Sequence, residues 1–492
     1  MDETAVEALH FIGVGGVGMS GIARVAHDQG MRVSGSDLKE SRYTKQLEDA
    51  GVTVFIGQDA HNIPQGNPTV VVSTAILENN PELIEAKRRG LEIRHRAQML
   101  AHLGRGLDTL AVAGTHGKTT TSSMLASTLD AMGENPTFLI GGIVRAYGTN
   151  AHSGTGKYYV VEADESDKSF TYLSPAAVIV TNVETDHLDH YANLDEIYAQ
   201  FGKFIASVPA GAPVVVCGDD AALVELARKN STRVVTYGFG EGCDARIEKA
   251  APRGVGSTFT LRLSDGRVVE SSIKQNPGMH NVTNGAAVLT LIDALGLDVA
   301  LAAEKLAEFS GVRRRFDLVG EAAGVTVVDD YAHHPTEIAA TIAAARALDF
   351  ARVHVLFQPH RYSRAGLFTE VLHDEFGSAF DQADTVTFMD VYSAGEAPVP
   401  GINGKTFLNV VLEHDGHPEA HYVPRRIDAA PAMAALACPG DLVITMGAGD
   451  VTALGPHILD ALGADAGKGN AAVGAAGAAG VAGSAPVAGA QE

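Results

Sequence analysis

Apolar and polar positions along the 492-residue chain fall into short apolar runs separated by stretches of helical period, and that alternation sets the fold class. Near the start, 10–14, 31–35 and 69–72 read as strands, with helices at 19–29 and 81–89. Such succession implies parallel sheets, because a helix is what returns the chain to lie parallel to its previous strand. A second run opens with the apolar residues from Leu110, continues through 158–161, 176–180 and 213–217, and carries a hairpin, 257–263 and 267–272, turned by Ser264-Asp265-Gly266. A third follows Arg315, with apolar runs at 325–328, 353–357 and 442–446 between Ala-rich helical stretches. The expectation is an α/β protein of three domains, 1–106, 107–314 and 315–462. Residues 463–492 are mostly Gly and Ala without an aromatic, a composition that cannot offset the entropy of ordering, and are expected to form a disordered tail.

Composition narrows the function classes. No apolar stretch reaches membrane-spanning length and no basic segment precedes the first apolar residues, so a cytoplasmic protein with no membrane partner is expected. A formal charge of −22 argues against nucleic acid as partner. The three cysteines, Cys217, Cys243 and Cys438, are too widely spaced for a zinc site or disulfide framework. In so acidic a chain, each cation beside a glycine turn gains meaning.

The most informative such place is 110–121, LAVAGTHGKTTT. An apolar strand turns through Gly114, Thr115, His116 and Gly117 into Lys118, Thr119 and Thr120 at a helix start, aiming backbone N–H groups at one point. Lys118 adds a charge for outer phosphates and Thr119 a hydroxyl for Mg²⁺. Val112 stands where the longer motif has its first glycine, so this is a shortened P-loop. Upstream, FIGVGGVGMSG holds Gly13, Gly15 and Gly18 at G-x-G-x-x-G spacing, with Gly16 and Val17 inside the turn and Asp37 after the next strand. That geometry specifies a diphosphate on a helix N-terminus with a ribose nearby, which NAD and a UDP-sugar both satisfy. The strand ending YVVEADESD presents several carboxylates, of which Glu162 is the chosen cation ligand; the next ends in TNVETDHLDH, where His187 offers a second position. Asn281 and Asn284, three apart at a helix start, can face one ligand. DDYAHHPTE and FQPHRYSR each follow a buried strand, and their arginines suit a carboxylate.

Taken in order, GVGGVGMSG, AGTHGKTTT, EADESD, TNVETDHLDHY, PGMHNVTN, RRRFD, DDYAHHPTE and FQPHRYSR resemble the Mur ligases of peptidoglycan synthesis over roughly 9–462. The resemblance implies an N-terminal Rossmann-like UDP-binding domain, a central P-loop ATPase domain and a C-terminal Rossmann-like domain with an amino-acid site. It implies an ATP- and Mg²⁺-dependent ligase joining L-alanine to the lactyl carboxylate of UDP-N-acetylmuramate through an acyl phosphate, with these small molecules as partners and the protein monomeric or weakly dimeric. By the same resemblance Lys118, Glu162, His187 and His333 are the catalytic set. Thr119, Glu162 and His187 hold metal. The 114–120 turn, Asn281, Asn284, Arg315 and Asp330 bind the nucleotide. The 13–18 turn, Asp37 and Ser73 bind the UDP-sugar, and Tyr331, His333, His360, Arg361 and Arg364 bind alanine. Two positions depart from the family pattern: Gln58 follows Gly57 where histidine is frequent, and Asp450 follows Gly449 where asparagine is usual. Lys203 reads as an ordinary surface lysine. A different amide ligase, or a sugar-nucleotide sensor without turnover, would share parts of this set.

Overall fold

The structure, a computed structural model, describes residues 7–166, 168–186 and 190–464. The first sheet consists of β1 (Ala8–Ile12), β2 (Arg32–Asp37), β3 (Thr53–Ile56), β4 (Thr69–Val72) and β5 (Ile93–His95), ordered β3-β2-β1-β4-β5 and parallel throughout. Helices α1 (Val17–Asp28), α2 (Arg42–Asp49), α3 (Pro81–Arg89) and α4 (Arg96–Leu103) make its connections. Strand order reverses between β1 and β4, and a crevice opens beyond their carboxyl ends at such a switch point.

The second sheet has ten strands: β6 (Asp108–Ala113), β7 (Thr137–Val144), β8 (Thr149–His152), β9 (Tyr158–Glu162), β10 (Ala177–Val180), β11 (Val214–Cys217), β12 (Val234–Gly238), β13 (Ala245–Arg253), β14 (Gly256–Leu263) and β15 (Val268–Ile273). Their order is β15-β14-β13-β12-β11-β10-β6-β9-β7-β8, parallel from β13 to β7 and antiparallel beyond. The expected hairpin is β14–β15. It is preceded by β13, whose alternation is too polar to register as a strand in the sequence. Helices α5 (Lys118–Ala131), α6 (Leu194–Ala206), α7 (Ala221–Asn230), α8 (Met279–Ala294) and α9 (Val299–Leu306) complete this part. Strand β6 lies between β9 and β10, each buried on both faces, so the segments leaving all three strands emerge side by side.

Both sheets belong to one compact unit ending at Arg315, and the chain from Phe316 forms a second. Within the first unit a single apolar cluster runs from Met19, Ile22 and Ala23 of α1 to Leu139, Ala151 and Tyr159 of the ten-stranded sheet. The second unit contains β16 (Asp317–Ala322), β17 (Val325–Asp330), β18 (Val353–Phe357), β19 (Thr385–Phe388), β20 (Glu419–Tyr422) and β21 (Leu442–Met446), ordered β16-β17-β21-β18-β19-β20, with only the β16–β17 pair antiparallel. Helices α10 (Pro335–Arg346), α11 (His373–Ser378), α12 (Gly404–Glu413) and α13 (Arg426–Leu436) flank it. Residues 463 and 464 complete a helix over 454–464, and the remainder of the segment read as a disordered tail lies outside the described residues. Among the described residues no helix is long and apolar enough to cross a membrane.

Candidate active site

The turn after β6 is fixed by its own glycines and by the next strand's exit. Gly114 (φ 134°) and Gly117 (φ 83°) take conformations that a Cβ disfavours, and a Cβ on Gly114 would lie 2.0 Å from Thr181 Oγ1. Thr115 N donates to Asn182 O (3.1 Å), His116 N to Asn182 Oδ1 (2.8 Å) and Glu184 N to Thr115 Oγ1 (2.8 Å). The TNVE segment therefore acts as a template for the turn. Its continuation through His187, the expected second metal ligand, lies outside the described residues.

Lys118 opens α5 but its ammonium folds back. Nζ donates to Gly114 O (2.5 Å), Thr115 O (3.1 Å) and Glu165 Oε1 (2.8 Å); Glu165 is buried and Lys118 largely so. Burial alone would pull the Lys118 pKa down, yet the carboxylates of Glu165, Asp164 and Glu162 outweigh it and hold it above the ordinary value. Burial pushes Glu165 up to about 7, with Asp164 adding repulsion against the relief that Lys118 gives. Burial also opposes ionisation of Asp164, but Lys118 and Ser166 hold that carboxyl below its ordinary value. The sequence marked this acidic strand end without singling out Glu165, because only the tertiary structure sets it against the lysine.

Thr119 Oγ1 donates to Glu162 Oε1 at 2.9 Å, and Glu162 Oε2 accepts from Gly141 N at 2.7 Å. A hydroxyl and a half-buried carboxylate side by side are hard oxygen donors of the kind Mg²⁺ takes, so the residues present fit the ion. Gly141 and Gly142 of β7 make room for them. A Cβ on Gly141 would stand 2.9 Å from both Glu162 oxygens, and one on Gly142 2.8 Å from Thr119 Cγ2. Sequence reasoning passed over this Gly-Gly pair, whose signal was two adjacent glycines inside an apolar strand. Thr120 is buried in the same helical turn. At the start of α8, Asn281 Nδ2 donates to Pro277 O (2.9 Å), Asn284 Nδ2 donates to Asn281 Oδ1 (3.3 Å), and Asn284 Oδ1 lies 2.9 Å from where a Gly117 Cβ would be. The two amides sit together, against the glycine turn at 114–117.

In the first sheet the glycine turn sits at the switch point. Gly13 N and Val14 N donate to Ser36 O (2.8 and 2.9 Å), Gly15 N donates to Asp37 Oδ2 (2.9 Å), and Gly16 precedes α1 with no side chain capping the helix start at Val17 and Gly18. The first N–H groups of a helix have no partner within it, and with no N-cap side chain to take them they suit an anion. Ser73 follows β4 on the opposite side of the switch. Beneath the turn, buried Glu82 accepts from Ser36 Oγ (2.7 Å), Asn62 Nδ2 (2.8 Å) and Asp59 N (3.2 Å), and its Oε2 meets His10 Nε2 at 3.0 Å. Gln58 Oε1 accepts from Asn80 Nδ2 at 2.7 Å, so the departure at that position is built into the loop.

In the second unit Asp330, at the end of β17, accepts from Phe316 N (2.7 Å) and Ala332 N (2.8 Å), a backbone-holding role that the sequence did not suggest. Arg315, in the first unit, accepts at its carbonyl from Asn276 Nδ2 (3.1 Å). After β17 and β18, the rings of Tyr331 and His333 lie 5.5 Å apart, His333 and His360 6.1 Å, and His360 stacks on Tyr392 at 5.7 Å. Arg361 has φ 69°, held by its N–H to Tyr392 O (2.8 Å), and Arg364 follows one turn on. At φ 69°, ψ 139° a non-glycine residue sits in a sparsely populated region that costs about 1–3 kcal/mol, so its surroundings must hold the bend. Asp450 accepts from Gln358 Nε2 (2.9 Å) and pairs with Arg426, a charge pairing that asparagine could not make.

Three family models match in chain order: the Mur ligase family catalytic domain over 8–106, the Mur ligase middle domain over 112–292 and the Mur ligase glutamate ligase domain over 314–449. The chain belongs to the Mur ligase family. Among relatives, the UDP-N-acetylmuramate–L-alanine ligase of Thermobifida fusca is 46% identical over 92% of this chain and 96% of its own, and that of Agrobacterium fabrum is 43% identical over 91% and 95%. Among solved structures, UDP-N-acetylmuramate-alanine ligase MurC from Thermotoga maritima is 30% identical with a TM-score of 0.76, covering 92% of this chain and 98% of the other. A murein peptide ligase from Psychrobacter arcticus is 25% identical with a TM-score of 0.68, covering 93% and 99%. For a Mur ligase, the three α/β sheets and the shortened P-loop are the expected frame, and Lys203 is, as read, an exposed lysine near the end of α6.

Proposed function

We propose that this Mur ligase joins L-alanine to the lactyl carboxylate of UDP-N-acetylmuramate with cleavage of ATP to ADP and phosphate, in the cytoplasm, as a monomer or weak dimer. The observation that carries the reading is the grouping of Lys118, Thr119 and Glu162 beside the β6 turn, in one unit with an uncapped glycine turn suited to a sugar nucleotide. A lactyl oxygen attacks the γ-phosphorus, the bond to the β-γ bridging oxygen breaks and ADP leaves. The neutral amine of L-alanine then attacks the acyl carbon, the bond to the phosphate oxygen breaks and phosphate departs, and the nitrogen loses one proton to solvent or a base as the amide forms. Both steps crowd anions, so cationic and N–H groups fixed in place are what lower the barrier.

With the N–H groups of Thr115 and His116 engaged by Asn182, those of Gly117, Lys118 and Thr119 at the start of α5 receive the phosphates. Lys118, freed from two carbonyls and Glu165, follows the charge of the transferring phosphoryl group. Thr119 and Glu162 would hold Mg²⁺, which when bound neutralises phosphate charge; His187 is assigned to the same task, and Asn281 and Asn284 to the nucleotide. Arg315 and Asp330 are assigned to the nucleotide as well. The 13–18 turn, Asp37 and Ser73 take the UDP-sugar. In the second unit, Arg361 and Arg364 take the alanine carboxylate, with Tyr331, His333 and His360 around it. The test is phosphate release on addition of UDP-N-acetylmuramate and each amino acid in turn, with mass spectrometry of the product. Release with L-alanine and a product heavier by one alanyl residue supports the reading. Release with another amino acid, or with a peptide alone, would replace L-alanine by that acceptor.

A further inference from the structure

Two ligand turns of the first unit belong to different sheets, and phosphoryl transfer demands that their occupants meet within a few tenths of an ångström. Asn150, on β8, is buried between them. Its Nδ2 donates to Val17 O (3.1 Å), in the first turn of the helix behind the sugar-nucleotide site, and to Ile140 O (3.3 Å) on β7. The next residue, Gly141, donates its N–H to Glu162 Oε2 (2.7 Å), and Glu162 Oε1 accepts from Thr119 (2.9 Å). From the diphosphate turn to the P-loop threonine the path thus runs Val17, Asn150, Ile140–Gly141, Glu162, Thr119.

The helix is pressed onto this amide. A Cβ on Gly21 of α1 would lie 3.0 Å from Leu139 Cδ2, 3.1 Å from Asn150 Nδ2 and 3.2 Å from Ala151 Cβ, so any larger residue would have to push these side chains aside. Another tie, Arg96 to Asp164 at 3.3 Å, is partly exposed on both sides and therefore weak. The shared apolar cluster supplies cohesion between helix and sheet, but it is non-directional. Asn150 supplies direction, because one amide must satisfy two carbonyls at once.

We propose that Asn150 is a positioning residue that fixes the spacing between the sugar-nucleotide turn and the carboxylate and hydroxyl flanking the P-loop, so that its loss uncouples the two sites without emptying either. The proposal rests on the ligase reading for its substrates. Asn150→Ala removes the tie, and Gly21→Ala presses a methyl group on Leu139 and on the Asn150 amide itself, a second route to loosening the same contact that guards against one variant failing to fold. Three quantities are measured on the full chain: binding of UDP-N-acetylmuramate and of a non-hydrolysable ATP analogue, each alone; binding of the UDP-sugar with the analogue and Mg²⁺ present; and the rate of UDP-sugar-dependent ADP formation at saturation.

Both variants should bind each ligand alone within about threefold of wild type, while the saturated rate falls by on the order of tenfold to a hundredfold. The affinity ratio with and without the analogue should move toward one. A saturated rate within twofold of wild type in either folded variant overturns the proposal. So does a rate loss matched by equally weakened binding of the UDP-sugar alone, since that is the mark of a merely structural residue. If wild type binds both ligands but forms no ADP, the ligase reading fails instead, and the affinity ratio still decides the role of Asn150.

Discussion

Replacing Lys118 by alanine separates two effects that the P-loop motif alone would merge. During transfer the ammonium faces phosphate charge, and removing one such group in a closed site costs about 3–4 kcal/mol, on the order of a thousandfold in rate. Before ligand arrives the same ammonium is the counter-ion of buried Glu165, so the variant also strands a carboxylate whose pKa already stands at about 7. Stranding a buried charge costs about 3–5 kcal/mol unless the group takes up a proton. Without Lys118 the folded-state pKa of Glu165 moves further above its unfolded value of 4.5. A carboxyl raised in this way is most favourable to folding below the unfolded pKa, and stability is lost as pH climbs toward the folded value. Lys118→Ala should therefore melt only slightly below wild type near pH 5 and several degrees below it near pH 8.5, as calorimetry would record. Adding Glu165→Gln should restore most of the melting temperature while leaving the rate low. If Lys118→Ala keeps more than about a tenth of wild-type turnover, the lost barrier is under about 1.4 kcal/mol and the lysine has no such role. If its melting deficit does not grow with pH, Glu165 is not its buried partner.

Gly15→Val places a branched side chain where even a Cβ would be 2.8 Å from Asp37 Oδ2; the Michaelis constant for the UDP-sugar should rise at least tenfold with that for ATP little changed, and tight NAD binding by wild type would count against the UDP assignment. Arg364→Ala should raise the Michaelis constant for L-alanine by roughly 10- to 150-fold, the equivalent of a charge-assisted bond of about 1.5–3 kcal/mol, with ATP binding spared; an unchanged alanine dependence assigns the arginine elsewhere. Glu82→Gln keeps the shape under the glycine turn but sets an amide N–H₂ against donors that the carboxylate accepts from, Ser36 Oγ on one oxygen and Asp59 N and Asn62 Nδ2 on the other; a melting temperature lower by several degrees is expected from a buried hydrogen bond left unmade, about 1–3 kcal/mol, and an unchanged melting temperature would show that the network contributes nothing.

What the sequence disclosed and what it hid divide along one physical line. Gly114, Gly117, Lys118 and Thr119 are legible because a glycine turn into a helix is local: the glycines that permit it and the lysine and threonine that follow lie within six residues. Helix α3 is legible for a similar reason, since Asn80 caps it and Pro81 starts it. The strand before the first glycine turn was read as 10–14 but ends at Ile12, because Gly13 N and Val14 N turn away to bond Ser36 O on β2, a contact no local pattern encodes. Glu165 and Gly141 escaped for the same cause, and Asp450, visible as a departure from the family pattern, shows no role in the sequence alone. Each matters through a partner far along the chain: Lys118, Glu162, and Gln358 with Arg426. The general consequence is that the sequence names the groups that touch a ligand, whereas the sheet order decides what holds them. Here β6 lies between β9 and β10, so a lysine, a carboxylate and a templating asparagine, contributed by three separated segments, arrive beside one turn. A substitution at Glu165 or Gly141 should then alter catalysis as surely as one in the P-loop, although neither residue belongs to the motif.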